Sequence, residues 1–66
     1  MIIIAENKVI KTTDIVATVQ KQNDFYTVTV NGHLIFQSAH SEYAQKVYDR
    51  LINAIKADET VFEVCG

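Results

Sequence analysis

Three side chains could act as nucleophile, base or soft metal ligand near neutral pH: His33, His40 and the single cysteine, Cys65. Cys65 with a histidine would make a thiol nucleophile and its base, but a cysteine one residue from the end of the sequence has little to hold it in place. It reads as a strand thiol. His33 follows Gly32 and His40 precedes the helical segment, positions where a solvent-exposed polar residue is ordinary. Together these three residues are too few for a structural zinc site. Asp14, Asp24, Asp49, Asp58 and Glu59 lack the regular alternation of a calcium loop. A glycine-rich phosphate loop, HExxH, CxxC and Gly-x-Ser-x-Gly are all missing from the sequence. The expectation is a protein that is not an enzyme, with no cofactor, no metal and no catalytic residue.

Charge narrows the partners. Six basic residues, of which only Arg50 is an arginine, stand against eight acidic ones, for a net charge of −2. That balance argues against a dominant phosphate-binding surface. The nucleic-acid alternative would use Lys46, Arg50 and neighbouring lysines, with Tyr43 and Tyr48 as stacking platforms. Tyr48 lies on the apolar helix stripe and Tyr43 at its margin, so both have a structural role to fill first. A surface for another protein is the leading expectation.

The elements that must build such a surface follow from length and pattern. The 66 residues make one domain, 1–66, and a domain this small removes only about 60% of its unfolded surface from water. With no proline, 48% hydrophobic and 21% charged residues, the chain is globular in composition. The apolar run Met1–Ala5 is too short for an export signal or a membrane span, has no basic residue before it, and reads as a buried first strand. The absence of a disulfide framework fits a reducing, cytoplasmic setting.

Residues 1–5 and 8–12 are expected to form a first hairpin across Glu6-Asn7, and Thr13-Asp14 turns into the alternating run Ile15–Gln20. Asn23-Asp24 reverses the chain, setting Val19 opposite Val28 and Ala17 opposite Val30. Ile15, Ala17, Val19, Tyr26 and Val28 then share one face, and Thr18, Gln20, Thr27 and Thr29 the other. Asn31-Gly32 is the strongest turn signal. A two-residue turn would place Leu34 and Phe36 among the threonines, whereas a three-residue bulged loop keeps them with Tyr26 and Val28. The bulged loop is preferred because it segregates the faces. It leaves Val16, Thr18, Thr27, Thr29, His33 and Ile35 as the candidate protein-binding face, suited to strand addition or a small symmetric interface.

From Ser41 to Ala57, the residues Ala44, Val47, Tyr48, Leu51, Ile52 and Ile55 recur at the spacing of one helix face. Ser38 and Ser41 are both suitable N-caps, and Glu42 and Lys46 are spaced for a surface ion pair. The tail from Thr60 to Cys65 alternates again. Lys56 to Glu59 is short for a return to the same sheet, so two arrangements stand: Val61, Phe62 and Val64 add to a second copy and make a homodimer, or they pack on the edge near Ile2–Ile4. The fold class is α+β: an antiparallel meander of four to five strands packed on one amphipathic helix over about residues 41–57, with a short C-terminal strand at 61–65.

The stretch from Ile10 to Val16, then Phe25 to Gly32, Phe36 to Ser38, Ser41 to Ala44 and Val47 to Leu51 resembles many small uncharacterised proteins of Gram-positive bacteria and their phages or mobile elements. The resemblance covers residues 2–55. It implies a curved antiparallel sheet closed by a C-terminal helix, akin to a reduced pleckstrin-homology-like domain, and no catalytic residues. The function so expected is a protein-interaction module, an accessory or inhibitor protein of a phage or mobile element, acting through its sheet face or edge.

Overall fold

The apolar start of the chain forms a strand, and that strand becomes the centre of a sheet. In the computed structural model, which describes residues 1–6 and 8–64, β1 (Ile2–Ala5) and β2 (Lys8–Lys11) pair antiparallel, with Ile2 opposite Lys11 and Ile4 opposite Val9. The Met1 amino group donates a 2.7 Å hydrogen bond to the Thr12 carbonyl, fastening the open end of this hairpin.

The second sheet is the meander expected from the alternation. β3 (Ala17–Gln22) and β4 (Phe25–Val30) pair with Val19 opposite Val28 and Ala17 opposite Val30. Asn23 adopts a positive φ of 56° in the two-residue connection. β5 (His33–Ser38) completes the order β3-β4-β5.

The third turn differs from the expected bulged loop, and the difference moves two side chains. Asn31 and Gly32 both have positive φ, 52° and 83°, and Val30 pairs directly with His33. This is the two-residue hairpin turn that asparagine-glycine favours, because its backbone twist matches that of the flanking strands. Leu34 accordingly lies opposite Thr29. The register is then corrected by a bulge inside β5, between the pairs Thr29–Leu34 and Val28–Phe36. Ile35 is the extra residue, and it is buried to 6% exposure with Phe36 packed beside it. A bulge two residues into the strand, rather than at its turn, thus keeps Phe36 with Ile35 on the apolar side, while Leu34 stays on the threonine side.

Asn31 also ties the two sheets together. Its Oδ1 accepts from the Val16 N–H at 2.8 Å, and its Nδ2 donates to Thr12 Oγ1 at 3.0 Å and to the Asp14 carbonyl at 2.9 Å. The Asn31 N–H donates to the Val16 carbonyl. The β2–β3 connection is therefore held against the β4–β5 turn.

The helix α1 (Ser41–Lys56) buries Ala44, Val47, Leu51 and Ala54. The buried stripe is rotated toward Ala54, so Ile55, expected in the core, stays partly exposed while Tyr48 and Ile52 lie at the margins. Neither serine is the N-cap. His40 occupies that position in extended conformation without a side-chain cap bond, while Ser38 Oγ accepts from the His40 N–H at 3.1 Å. On the outer helix surface the i,i+4 contact is Gln45 Nε2 to Asp49 Oδ1, at 2.9 Å.

The connection that looked too short is long enough because the helix ends in a tight reversal. Asp58 has φ of 57°, its N–H reaches the Ile55 carbonyl at 3.1 Å, and the Glu59 N–H reaches the Ala54 carbonyl at 3.0 Å. These are the paired bonds of a Schellman motif, with aspartate where glycine is usual. The chain then enters β6 (Val61–Glu63), which runs parallel to β1 with Ile3 opposite Phe62. Of the two arrangements open for the tail, the intramolecular one is found. Phe62, named above as an assembly residue, is a core residue at 6% exposure.

Two three-stranded sheets, β2-β1-β6 and β3-β4-β5, therefore share one core with α1 among the described residues. Ile3 and Phe62 from the first sheet meet Val28, Val30 and Ile35 from the second and Ala44, Val47, Leu51 and Ala54 from the helix. Leu51 is fully buried and its burial contributes about 1.5–3 kcal/mol. An α+β meander packed on a helix is the architecture, and no helix of the described residues is long and apolar enough to cross a membrane.

Candidate functional site

Where β5 turns its free edge away from β4, the second sheet does not close onto the first. A cleft of about 510 Å³ lies there. One wall is Leu34, Ile35, Phe36 and Gln37 of β5. The other is Ala5, Glu6 and Lys8 from the first hairpin together with Val64. β5 is the edge strand of its sheet and carries the bulge at Ile35, and a bulge bends the strand that holds it. Its walls are mainly apolar, with a carboxylate and an ammonium on the same rim, and Leu34 is 41% exposed.

The residues expected on one binding face are only partly brought together. Thr18 and Thr29 face each other across β3 and β4 and their hydroxyls are hydrogen bonded. Thr27 is on the same side but buried, and its hydroxyl donates to the Gln20 carbonyl at 3.4 Å. Val16 is exposed to 66% and lies just before β3. His33 and Ile35 do not join them. The two-residue turn pairs His33 with Val30, on the opposite side from Thr29, and by the same register carries Ile35 to the Val28 side and into the core, where the bulge then brings Phe36 as well. Leu34 and Gln37 take their places opposite Thr29 and Thr27.

The cleft was missed in the sequence because its wall depends on that turn. The available signal was Asn31-Gly32 itself, which favours a two-residue connection and so places Leu34 opposite Thr29. That Ala5, Glu6, Lys8 and Val64 approach β5 has no local signature.

The remaining chemistry-bearing residues are scattered. His40 sits edge-on to Tyr43 with ring centroids 5.5 Å apart, and His33 is at the far end of the second sheet. Cys65 lies outside the described residues. Among the described residues, no group of three or more His, Cys, Asp and Glu could hold a metal ion. Lys46 and Arg50 are exposed on α1, and the Arg50 guanidinium lies over the Phe62 ring, 5.8 Å from its centroid. Arg50 therefore covers the protein's own core with its planar cation. Comparison with protein-family models, with curated proteins and with solved structures finds no match for this chain.

Proposed function

We propose that the protein is a non-enzymatic interaction module that binds an extended segment of a partner protein by strand addition to β5. The observation that carries this reading is the cleft along the β5 edge. An edge strand offers a row of backbone donors and acceptors on the side away from its neighbour, and an added strand satisfies them. Leu34 and Phe36 on one wall and Ala5 and Val64 on the other would receive alternate apolar side chains of the guest, while Glu6 and Lys8 would pair with charges on its flanks. The biological setting suggested by the resemblance is an accessory or inhibitor protein of a phage or mobile element.

The test is selection from a displayed library of random peptides against the whole protein and against Leu34→Lys, an exposed substitution that leaves the core intact. Selected peptides should alternate apolar and polar residues, lose binding to Leu34→Lys, and lose binding when alternate backbone amides are N-methylated. Undiminished binding to Leu34→Lys would refute the site, and tolerance of N-methylation would refute strand addition.

A further inference from the structure

β1 is apolar at every position, yet among the described residues only one of its faces is covered. Ile3, flanked by Ile10 and Phe62, faces the core. The opposite face of the sheet carries Ile2, Ile4, Val9 and Val61 together with Lys11 and Glu63. Val9 is exposed to 66%, Val61 to 47% and Ile4 to 36%. A central strand that is apolar on both sides reads as a strand meant to be buried on both sides.

The register gives this face a particular layout. One row across the three strands is Lys11–Ile2–Val61, and the row two residues further along is Val9–Ile4–Glu63. Lys11 and Glu63 therefore stand at opposite corners, with the four apolar residues between them. With strands about 4.8 Å apart and rows about 6.8 Å apart, the corners are about 12 Å from one another. That is too far for the two charges to pair with each other. When two such faces are laid together about a two-fold axis crossing that diagonal, each Lys11 meets the other copy's Glu63, and Ile2 and Ile4 meet Val61 and Val9. The patch is thus complementary to itself in charge and apolar in its middle, which is what an isologous interface requires.

We propose that the outer face of the β2-β1-β6 sheet is a homodimer interface, covered by the same face of a second copy, with two symmetry-related Lys11–Glu63 contacts setting the orientation. It is a sheet-on-sheet contact, distinct from addition of the tail to another copy's edge, and it leaves the β5 cleft open. Its small size places it among weak, concentration-dependent interfaces.

Sedimentation of the full chain across a concentration series, with far-UV circular dichroism as the folding control, tests the proposal. The parent should pass from monomer to dimer as concentration rises. Lys11→Glu sets four carboxylates in the contact and Glu63→Lys sets four ammonium groups there, and each should weaken dimerisation by at least about tenfold while leaving the monomer folded. The double variant Lys11→Glu/Glu63→Lys should restore it, because the exchanged charges face each other again. A parent that stays monomeric at millimolar concentration overturns the proposal. So does a dimer indifferent to the single exchanges, or one that the double exchange fails to restore.

Discussion

Asn31 is the residue whose replacement most cleanly separates backbone strain from side-chain bonding. Its side chain makes three hydrogen bonds, to the Val16 N–H, Thr12 Oγ1 and the Asp14 carbonyl. All three are exposed to solvent. Water replaces much of each when it is lost, so about 0.5 kcal/mol apiece is the appropriate end of the usual range, or about 1.5 kcal/mol together. Asn31→Gly keeps the turn conformation and should lose about 1–1.5 kcal/mol. Asn31→Ala loses the same bonds and must also hold a positive φ of 52° with a Cβ, adding about 1 kcal/mol. For a domain of this size, a total near 2.5 kcal/mol corresponds to a fall in Tm of about 10–20 °C. Urea and thermal melts of the parent and the two variants measure all of these differences. If Asn31→Gly is as stable as the parent, the tie between the turn and residues 12–16 contributes nothing. If Asn31→Ala is no worse than Asn31→Gly, the conformational argument fails.

Other substitutions test other elements. Asp58→Gly should stabilise the protein by about 0.5–1 kcal/mol in a denaturant melt, since Asp58 holds the left-handed position of the helix end and places a negative charge at the negative end of the dipole. His40→Asp should add about 0.5–1 kcal/mol by supplying the cap bond that α1 lacks, less whatever the edge-on contact with Tyr43 contributes, and the helical circular dichroism signal on heating reports it. Ile35→Glu should abolish folding by placing a carboxylate in the core, whereas Leu34→Glu, one residue away and half-exposed, should leave the amide NMR spectrum dispersed. Leu51→Ala should lower stability by about 2–5 kcal/mol in a urea melt, because the fully buried side chain leaves a cavity against β4 and β5.

Much of the fold was legible because it rests on local periodicity. The pairing of Ala17 with Val30 and Val19 with Val28 follows from alternation around a two-residue turn, and Ala44, Val47 and Leu51 announce the buried helix face. What was not legible depends on one extra residue or on distant partners. The face assignment of His33 and Ile35 failed because Asn31-Gly32 makes the two-residue turn, and the bulge inside β5 that then returns Phe36 to the apolar side is one that alternation alone cannot locate. The N-cap assignment failed because Ser38 spends its hydroxyl on the His40 N–H before the helix begins. Glu6, Lys8 and Val64 join β5 in a cleft only through the packing of two sheets, which no local window contains.

The seating of β6 beside β1 has a mechanical consequence. The two strands run parallel, joined by bonds that include Ile2 N–H to the Thr60 carbonyl and Val64 N–H to the Ile4 carbonyl, each 2.8 Å. Tension applied at the two ends of this chain pulls the start of β1 one way and the end of β6 the other. The strands are then sheared along their length, so their hydrogen bonds share the load instead of opening one after another. An antiparallel terminal pair would unzip under the same pull. Drawn by its ends, this small domain should resist until the β1–β6 ladder slips as a unit, and that slip would release Phe62 from the core in the same event.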